Sequence, residues 1–168
     1  MFRSTPLTDH HDLDGFDSTE LELDNWLRLH ARDAGRRGTA RTFVWVDDQE
    51  RVVGYYAVAA HKIVNEGLPR KIARGSPTEI PVVLLAKLAL HRDQHGRGLG
   101  AAQLADALDR IIEATRVVAA RYVVVDALND EAANFYAHHG FTSIPNSNRL
   151  VRRTTDIAAS LHRGARSP

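Results

Sequence analysis

Val82-Val83-Leu84-Leu85-Ala86-Lys87-Leu88-Ala89-Leu90 is an almost unbroken apolar run, and Gln94-His95-Gly96-Arg97-Gly98-Leu99-Gly100-Ala101 follows it three residues later. The run lacks strict alternation, as expected of a central strand covered on both faces. From Gly98 to about Val118, the residues Leu104, Leu108, Ile111 and Ile112 recur at helical spacing and predict a long helix. A strand, a glycine-rich turn and a helix in that order form a candidate pyrophosphate cradle. Glycine lets the backbone approach an anion, and the first free amides of the helix point at it with a favourable dipole. A tight strand-to-helix connection with no ligand is the alternative.

Upstream, Thr19-Glu20-Leu21-Glu22 has the spacing of a capping box, and Leu23, Trp26, Leu27 and His30 share one helical face, which predicts a helix from about Ser18 to Ala34. Gly35 to Gly38 stops it. Arg41 to Val46 reads as a strand, Asp47 to Glu50 as a hairpin turn and Val52 to Ile63 as the returning strand. Gly67 to Pro81, with three prolines and two glycines, reads as a loop. Downstream, a buried strand (Tyr122 to Ala127), a short helix (Asp130 to His139) and a strand beginning at Phe141 to Ile144 follow, with Arg149 to Arg153 as a final hairpin partner. Meander strands followed by a strand-helix-strand-helix-strand half predict a mixed α/β sheet, with its ligand near the open ends of the central strands. No repeat or low-complexity linker interrupts the 168 residues, so one domain over 1–168 is expected.

Composition narrows the class. The chain has no cysteine, which excludes disulfide and thiolate chemistry, and no stretch approaches the roughly 20 apolar residues of a membrane span. The start of the chain lacks the apolar core of a signal peptide, so a soluble, cytoplasmic protein without membrane contact is expected. The net charge of +1 conceals a strong asymmetry. Residues 1–25 carry seven acids against Arg3, whereas 26–45 carry five arginines against Asp33 and 149–168 carry five against Asp156. Clustered arginine on a near-neutral chain points to a focused anionic partner such as a phosphate backbone, with a solvated basic face as the alternative. None of the nine histidines pairs with carboxylates at metal-ligand spacing, and neither a G-x-S-x-G nor a P-loop occurs, so no metal site is expected.

The turn at His95 to Gly100, followed by Asn129-Asp130-Glu131-Ala132-Ala133-Asn134-Phe135-Tyr136-Ala137-His138-His139-Gly140-Phe141, resembles the GCN5-related N-acetyltransferase (GNAT) family. Leu7-Thr8, Asp14 to Ser18, Leu23 to Leu27, Thr39 to Val44, Gly54-Tyr55-Tyr56 and Leu85 to Ala89 narrow the likeness. Together they resemble the acetyltransferase toxins of bacterial toxin-antitoxin pairs, which acetylate the amino group of aminoacyl-tRNA and block translation. The similarity runs from about residue 6 to 155. It implies a mostly antiparallel central sheet flanked by helices, acetyl-CoA as co-substrate, aminoacyl-tRNA as acceptor, a ribbon-helix-helix antitoxin and a homodimer.

Carried over residue by residue, the resemblance puts the coenzyme pyrophosphate on the backbone of His95, Gly96, Gly98, Gly100 and Ala101. His95 stands where the family usually has Gln or Arg. The pantetheine arm pairs with the main chain of Leu88 and Leu90, and Asn129 bonds the same arm. Tyr136 matches the tyrosine near the coenzyme sulfur. A tyrosine hydroxyl, with a reference pKa of about 10, is protonated at neutral pH and can donate to the departing thiolate.

Attack requires a neutral amine, and an α-amino group titrates near 7.7 to 8.0, so a strong protein base is less necessary than for lysine. Glu79 precedes the central strand and could relay a proton through water, but a solvated loop acid is the favoured reading. An amide of the central strand near Leu88 is the simplest oxyanion donor. For the nucleic acid the basic candidates are Arg36, Arg37 and Arg41, then Arg70, Lys71, Arg74 and Lys87, with Arg149, Arg152 and Arg153 on the opposite rim. Trp26 and Trp45 sit at core-like periodic positions, which favours burial over base stacking. A GNAT enzyme for a small amine or protein N-terminus, and a non-catalytic coenzyme- or RNA-binding module, are the competing functions.

Overall fold

The computed structural model describes residues 2–166. Seven strands form a sheet of order β1-β2-β3-β4-β5-β7-β6, in which β1 is Arg3–Pro6, β2 Arg41–Val46, β3 Val52–Val64, β4 Glu79–Leu90, β5 Tyr122–Asp126, β6 Thr142–Ser143 and β7 Arg149–Arg153. The apolar run is the fourth of the seven, as its lack of alternation predicts. Its pairing with β5 is parallel, while β1 with β2, β2 with β3, β5 with β7 and β6 with β7 are antiparallel. The helices are α1 (Leu21–Leu29), α2 (Ala31–Arg37), α3 (Arg70–Ala73), α4 (Leu99–Thr115), α5 (Asp130–His138) and α6 (Thr154–Ala165). No helix among the described residues is long and apolar enough to cross a membrane.

Two compact units arise along the chain. The first comprises the chain through Ala59 with Ala86–Ala107, and it buries Phe16, Leu27, Val44, Val46, Tyr55 and Ala89 in one apolar cluster. Gly54 in β3 is required there. A Cβ at this position would lie 2.7 Å from the Gln103 amide nitrogen and 2.9 Å from the Leu90 side chain. Gln103 is itself fully buried, and its amide donates to the carbonyls of Ala89 (2.9 Å) and Tyr55 (3.3 Å). A polar helix residue thus satisfies two strand carbonyls that would otherwise be costly to bury. The second unit, Ala60–Leu85 with the chain from Leu108 onward, buries Ile63, Ile72, Ile80, Val82, Tyr122, Val124 and Val151 together.

Several sequence expectations change. The helix expected over Ser18 to Ala34 is two helices, because His30 leaves helical geometry at φ −126°. The capping box is not used, since Thr19 has φ 76° and Glu20, the residue before α1, makes no side-chain cap. Asp24 instead reaches back to the Ser18 amide (3.0 Å) and hydroxyl (2.6 Å), and both residues are buried. Gly35 lies inside α2, which continues to Arg37. The expected loop from Gly67 to Pro81 holds α3 and the first three residues of β4. Ile72 accounts for that short helix, because it is buried in the second apolar cluster. The long helix ends at Thr115, leaving Val117 and Val118 exposed. β1 and α6 lie outside the elements that the sequence pattern predicts. β1 is a four-residue edge strand, too short for a periodic signal to emerge.

Candidate active site

In the first unit, β4 leads through the 3-10 turn Arg92–Gln94 into His95 to Gly98 and then α4. Gly96 and Gly98 both have φ 72°, a conformation that disfavours side-chain-bearing residues, and nothing lies within 4 Å of where a Cβ would stand on either. The turn therefore presents bare backbone in front of the 17-residue helix α4, which fits a phosphate ligand. Nε2 of His95 lies 2.9 Å from the Leu90 carbonyl oxygen, so this side chain fastens the turn to the end of β4. Arg92 anchors the same segment through its 2.7 Å ion pair with Asp17, and the Arg92 guanidinium holds the Asp17 carboxyl below its usual range.

The main chain of β4 is divided between two directions. The His91 amide donates to Val53 in β3 and the Ala89 carbonyl accepts from Gln103. Backbone groups alternate in direction along a strand, so those of Leu88 and Leu90 point away from β3. The register with β5 covers Val82 to Leu84 only, while β4 runs on to Leu90. Leu88 thus turns its amide and carbonyl to the side where strand pairing has already stopped, the geometry an extended ligand needs to add as a strand.

In the second unit, Asn129 and Tyr136 both belong to the α5 segment. Asn129 precedes the helix and accepts a 2.9 Å bond from the Ala132 amide through Oδ1, so it is the N-cap of α5. Tyr136 is buried, with its ring edge-on to Phe135 (5.3 Å) and Phe141 (5.6 Å). Burial pushes its hydroxyl well above the ordinary tyrosine value, so it remains a proton donor throughout the neutral range. The Phe-Tyr and Gly-Phe pairs of the sequence thus form one aromatic cluster that fixes Tyr136. Among the described residues no three His, Cys, Asp or Glu side chains group as a metal site.

A model of the acetyltransferase (GNAT) domain matches residues 39–143. The chain belongs to the GNAT family. This GNAT enzyme, an N-acetyltransferase, is 39% identical over 139 residues, 83% of each chain, to a tRNA-acetylating toxin of Mycobacterium tuberculosis. Among solved structures it is similar to AtaT complexed with acetyl-methionyl-tRNAfMet, at 28% identity and TM-score 0.86, with 96% of this chain and 99% of that chain covered. It is also similar to a tyrosine-to-phenylalanine mutant of AtaT bound to acetyl-CoA and the C-terminus of the antitoxin AtaR. There the identity is 28%, the TM-score 0.80, and the coverage 95% of this chain and 98% of that chain.

The basic candidates of the GNAT chain separate by environment. In the first unit Arg36 and Arg37 are exposed, joined to Asp9 (3.5 Å) and Asp33 (3.0 Å) by surface pairs. Arg41 donates to the Gly35 carbonyl, and Arg36 and Arg41 line one groove with Arg32 and Thr42. Lys87 lies 5.8 Å from the ring centre of Trp26, which stacks on Tyr55; Trp26 is half-buried and Trp45 buried with its indole N–H on Asp106. In the second unit Lys71, Arg152 and Arg153 line a groove beside Tyr122, Arg152 bonded to Ser160, while Arg70 is the first residue of α3 and Arg74 its C-cap. Arg149 differs from all of these, because Asp126 grips its Nε (2.8 Å) and Nη2 (2.9 Å) at once. Nothing in the sequence pairs those two residues. Their strand register, Asp126 opposite Arg149, does.

Proposed function

We propose that the chain transfers the acetyl group of acetyl-CoA to the α-amino group of an aminoacyl-tRNA and acts as a translation-blocking toxin. The supporting observation is the 39% identity to a tRNA-acetylating toxin across 83% of both chains. In this reading the coenzyme supplies an activated acetyl thioester. The backbone of His95, Gly96, Gly98, Gly100 and Ala101 binds its pyrophosphate, the main chain of Leu88 and Leu90 orients its arm, and the Asn129 side chain bonds that arm. The Leu90 carbonyl already receives His95, so Leu90 contributes mainly through its amide. Tyr136 protonates the departing sulfur, a role consistent with its buried, neutral hydroxyl.

Arg36, Arg37, Arg41, Arg70, Lys71, Arg74, Lys87, Arg152 and Arg153 supply cationic side chains for the tRNA, with Arg149 held in an internal pair. Phosphate contacts of this kind position the acceptor without identifying its amino acid. The partners proposed are a ribbon-helix-helix antitoxin and a second copy of the chain, and the site of action is the cytoplasm. Mass spectrometry of total aminoacyl-tRNA after incubation with acetyl-CoA tests the reading. Acetyl on the aminoacyl moiety is expected; acetylation confined to polyamine or peptide controls would overturn it.

A further inference from the structure

Where β7 outruns its neighbour, the second unit opens a groove of about 400 Å³. β6 pairs with β7 at Leu150 and Val151, so Arg152 and Arg153 lie on the stretch of β7 beyond that pairing. Arg153 stands opposite Tyr122 in register and shares its face of the sheet, with its guanidinium 6.0 Å from the centre of the Tyr122 ring. The Tyr122 hydroxyl donates to the Ile72 carbonyl at 2.9 Å, which ties α3 to β5 and brings Lys71 to the same groove. Arg152 reaches the groove past Gly140, where a Cβ would lie 3.0 Å from the Arg152 Nε. Gly140 has φ 89°, so this position uses both the left-handed backbone and the missing side chain. Arg121 adds a further cation, 5.8 Å from the same Tyr122 ring.

These cations differ from the other basic candidates. Arg36, Arg37 and Arg149 each have an aspartate partner. Among the described residues no carboxylate oxygen lies within 4 Å of a charged nitrogen of Lys71, Arg121, Arg152 or Arg153. Asp156 lines the groove without entering an ion pair. Arg121 and Arg153 also bury Nε without a hydrogen-bond partner. An uncompensated buried charge is costly, so the fold concentrates positive charge here against its own stability. An anion bonded to the outer nitrogens offsets that charge, and the planar fork of arginine matches two phosphate oxygens at once.

The groove also adjoins the proton donor. In the turn between α5 and β6 the Gly140 amide donates to the Ala137 carbonyl and the Phe141 amide to the Tyr136 carbonyl, each at 3.1 Å. The wall of the groove and Tyr136 therefore belong to one turn. We infer that this groove seats a backbone phosphate of the acceptor strand of aminoacyl-tRNA, with Arg153 and Lys71 as its ligands and Gly140 as the opening that admits Arg152. The inference rests on the acceptor proposed above. An RNA held here by its backbone brings its aminoacyl end towards the turn of Tyr136, and the contact carries no information about the amino acid.

The test is filter binding of purified aminoacyl-tRNA to the full chain across a salt series, with acetyl-CoA affinity measured by calorimetry and stability by urea denaturation on the same variants. Arg153→Gln is expected to raise the Kd for charged tRNA about 10-fold and to reduce the slope of log affinity against log salt by about 1. The Kd for acetyl-CoA should stay unchanged and the urea midpoint should not fall, because the substitution removes a charge that has no counter-ion. Lys71→Gln reduces the slope by a similar step. Arg153→Lys keeps the charge and therefore the slope, yet binds more weakly because an ammonium lacks the fork. An unchanged slope in both Arg153→Gln and Lys71→Gln, whatever the urea midpoint does, would overturn the seat while leaving acetylation of charged tRNA intact. So would binding of a polyglutamate peptide that is lost in Arg153→Gln while tRNA binding is kept. A wild-type chain that acetylates no charged tRNA would overturn the acceptor and the seat together.

Discussion

His95 Nε2 lies 2.9 Å from the carbonyl oxygen of Leu90, so the side chain that departs from the family pattern closes the glycine turn onto the strand that precedes it. A net hydrogen bond is worth about 0.5–1.5 kcal/mol. His95→Ala is therefore expected to loosen the turn and raise the Kd for acetyl-CoA about 2- to 10-fold, measurable by calorimetry. An unchanged Kd would mean that the turn holds its shape through its glycines alone.

Tyr136→Phe keeps the ring within its contacts with Phe135 and Phe141 but removes the proton donor. Transfer should fall about 10²- to 10⁴-fold with coenzyme affinity largely retained, and cells expressing the variant should grow. Toxicity equal to that of the wild type would remove Tyr136 from the reaction.

Gln103→Leu leaves the Ala89 and Tyr55 carbonyls without their buried donor. We expect a loss of about 2–4 kcal/mol in unfolding free energy, read from urea denaturation. A loss below about 0.5 kcal/mol, within the range of ordinary surface substitutions, would contradict the role assigned to this amide.

For the tRNA, exposed Arg36 and Arg37 should behave differently from Arg149. Replacing either of the first two with alanine should lower affinity and reduce the slope of log affinity against log salt by about 1. Arg149→Ala should leave that slope unchanged, because Asp126 already neutralises its guanidinium. Filter binding across a salt series decides between them.

Alkaline pH should destabilise the fold. Burial raises the Tyr55 and Tyr136 hydroxyls above the ordinary tyrosine value, and the Tyr55 hydroxyl also donates to the Leu23 carbonyl at 2.7 Å. The folded state then binds more protons than the unfolded state once free tyrosines ionise. The associated stability is fully present below about pH 10 and lost above it. Urea midpoints at pH 8 and pH 11 measure the loss, which should be smaller in Tyr55→Phe.

Legibility followed the range of the interactions. Val82 to Leu90 disclosed the central strand because burial on both faces demands an uninterrupted apolar run. The turn was readable because two glycines at φ 72° lie between strand and helix. The division at His30, the turn of helix at Ile72 and the Asp24–Ser18 bonds that stand in place of the capping box were not readable. Each depends on which residues the rest of the fold buries, and local spacing is silent on that.

The sequence by itself determined the order of the elements, the position of the glycine-rich turn between strand and helix and the residues that mark the chain as a GNAT enzyme, because these are properties of contiguous segments. Only the tertiary structure decided that Gln103 serves two strand carbonyls, that His95 clasps Leu90, and that Arg149 belongs to Asp126 and His61. Those relations join residues 5 to 88 positions apart through strand register and side-chain reach, and neither quantity is encoded in the local pattern.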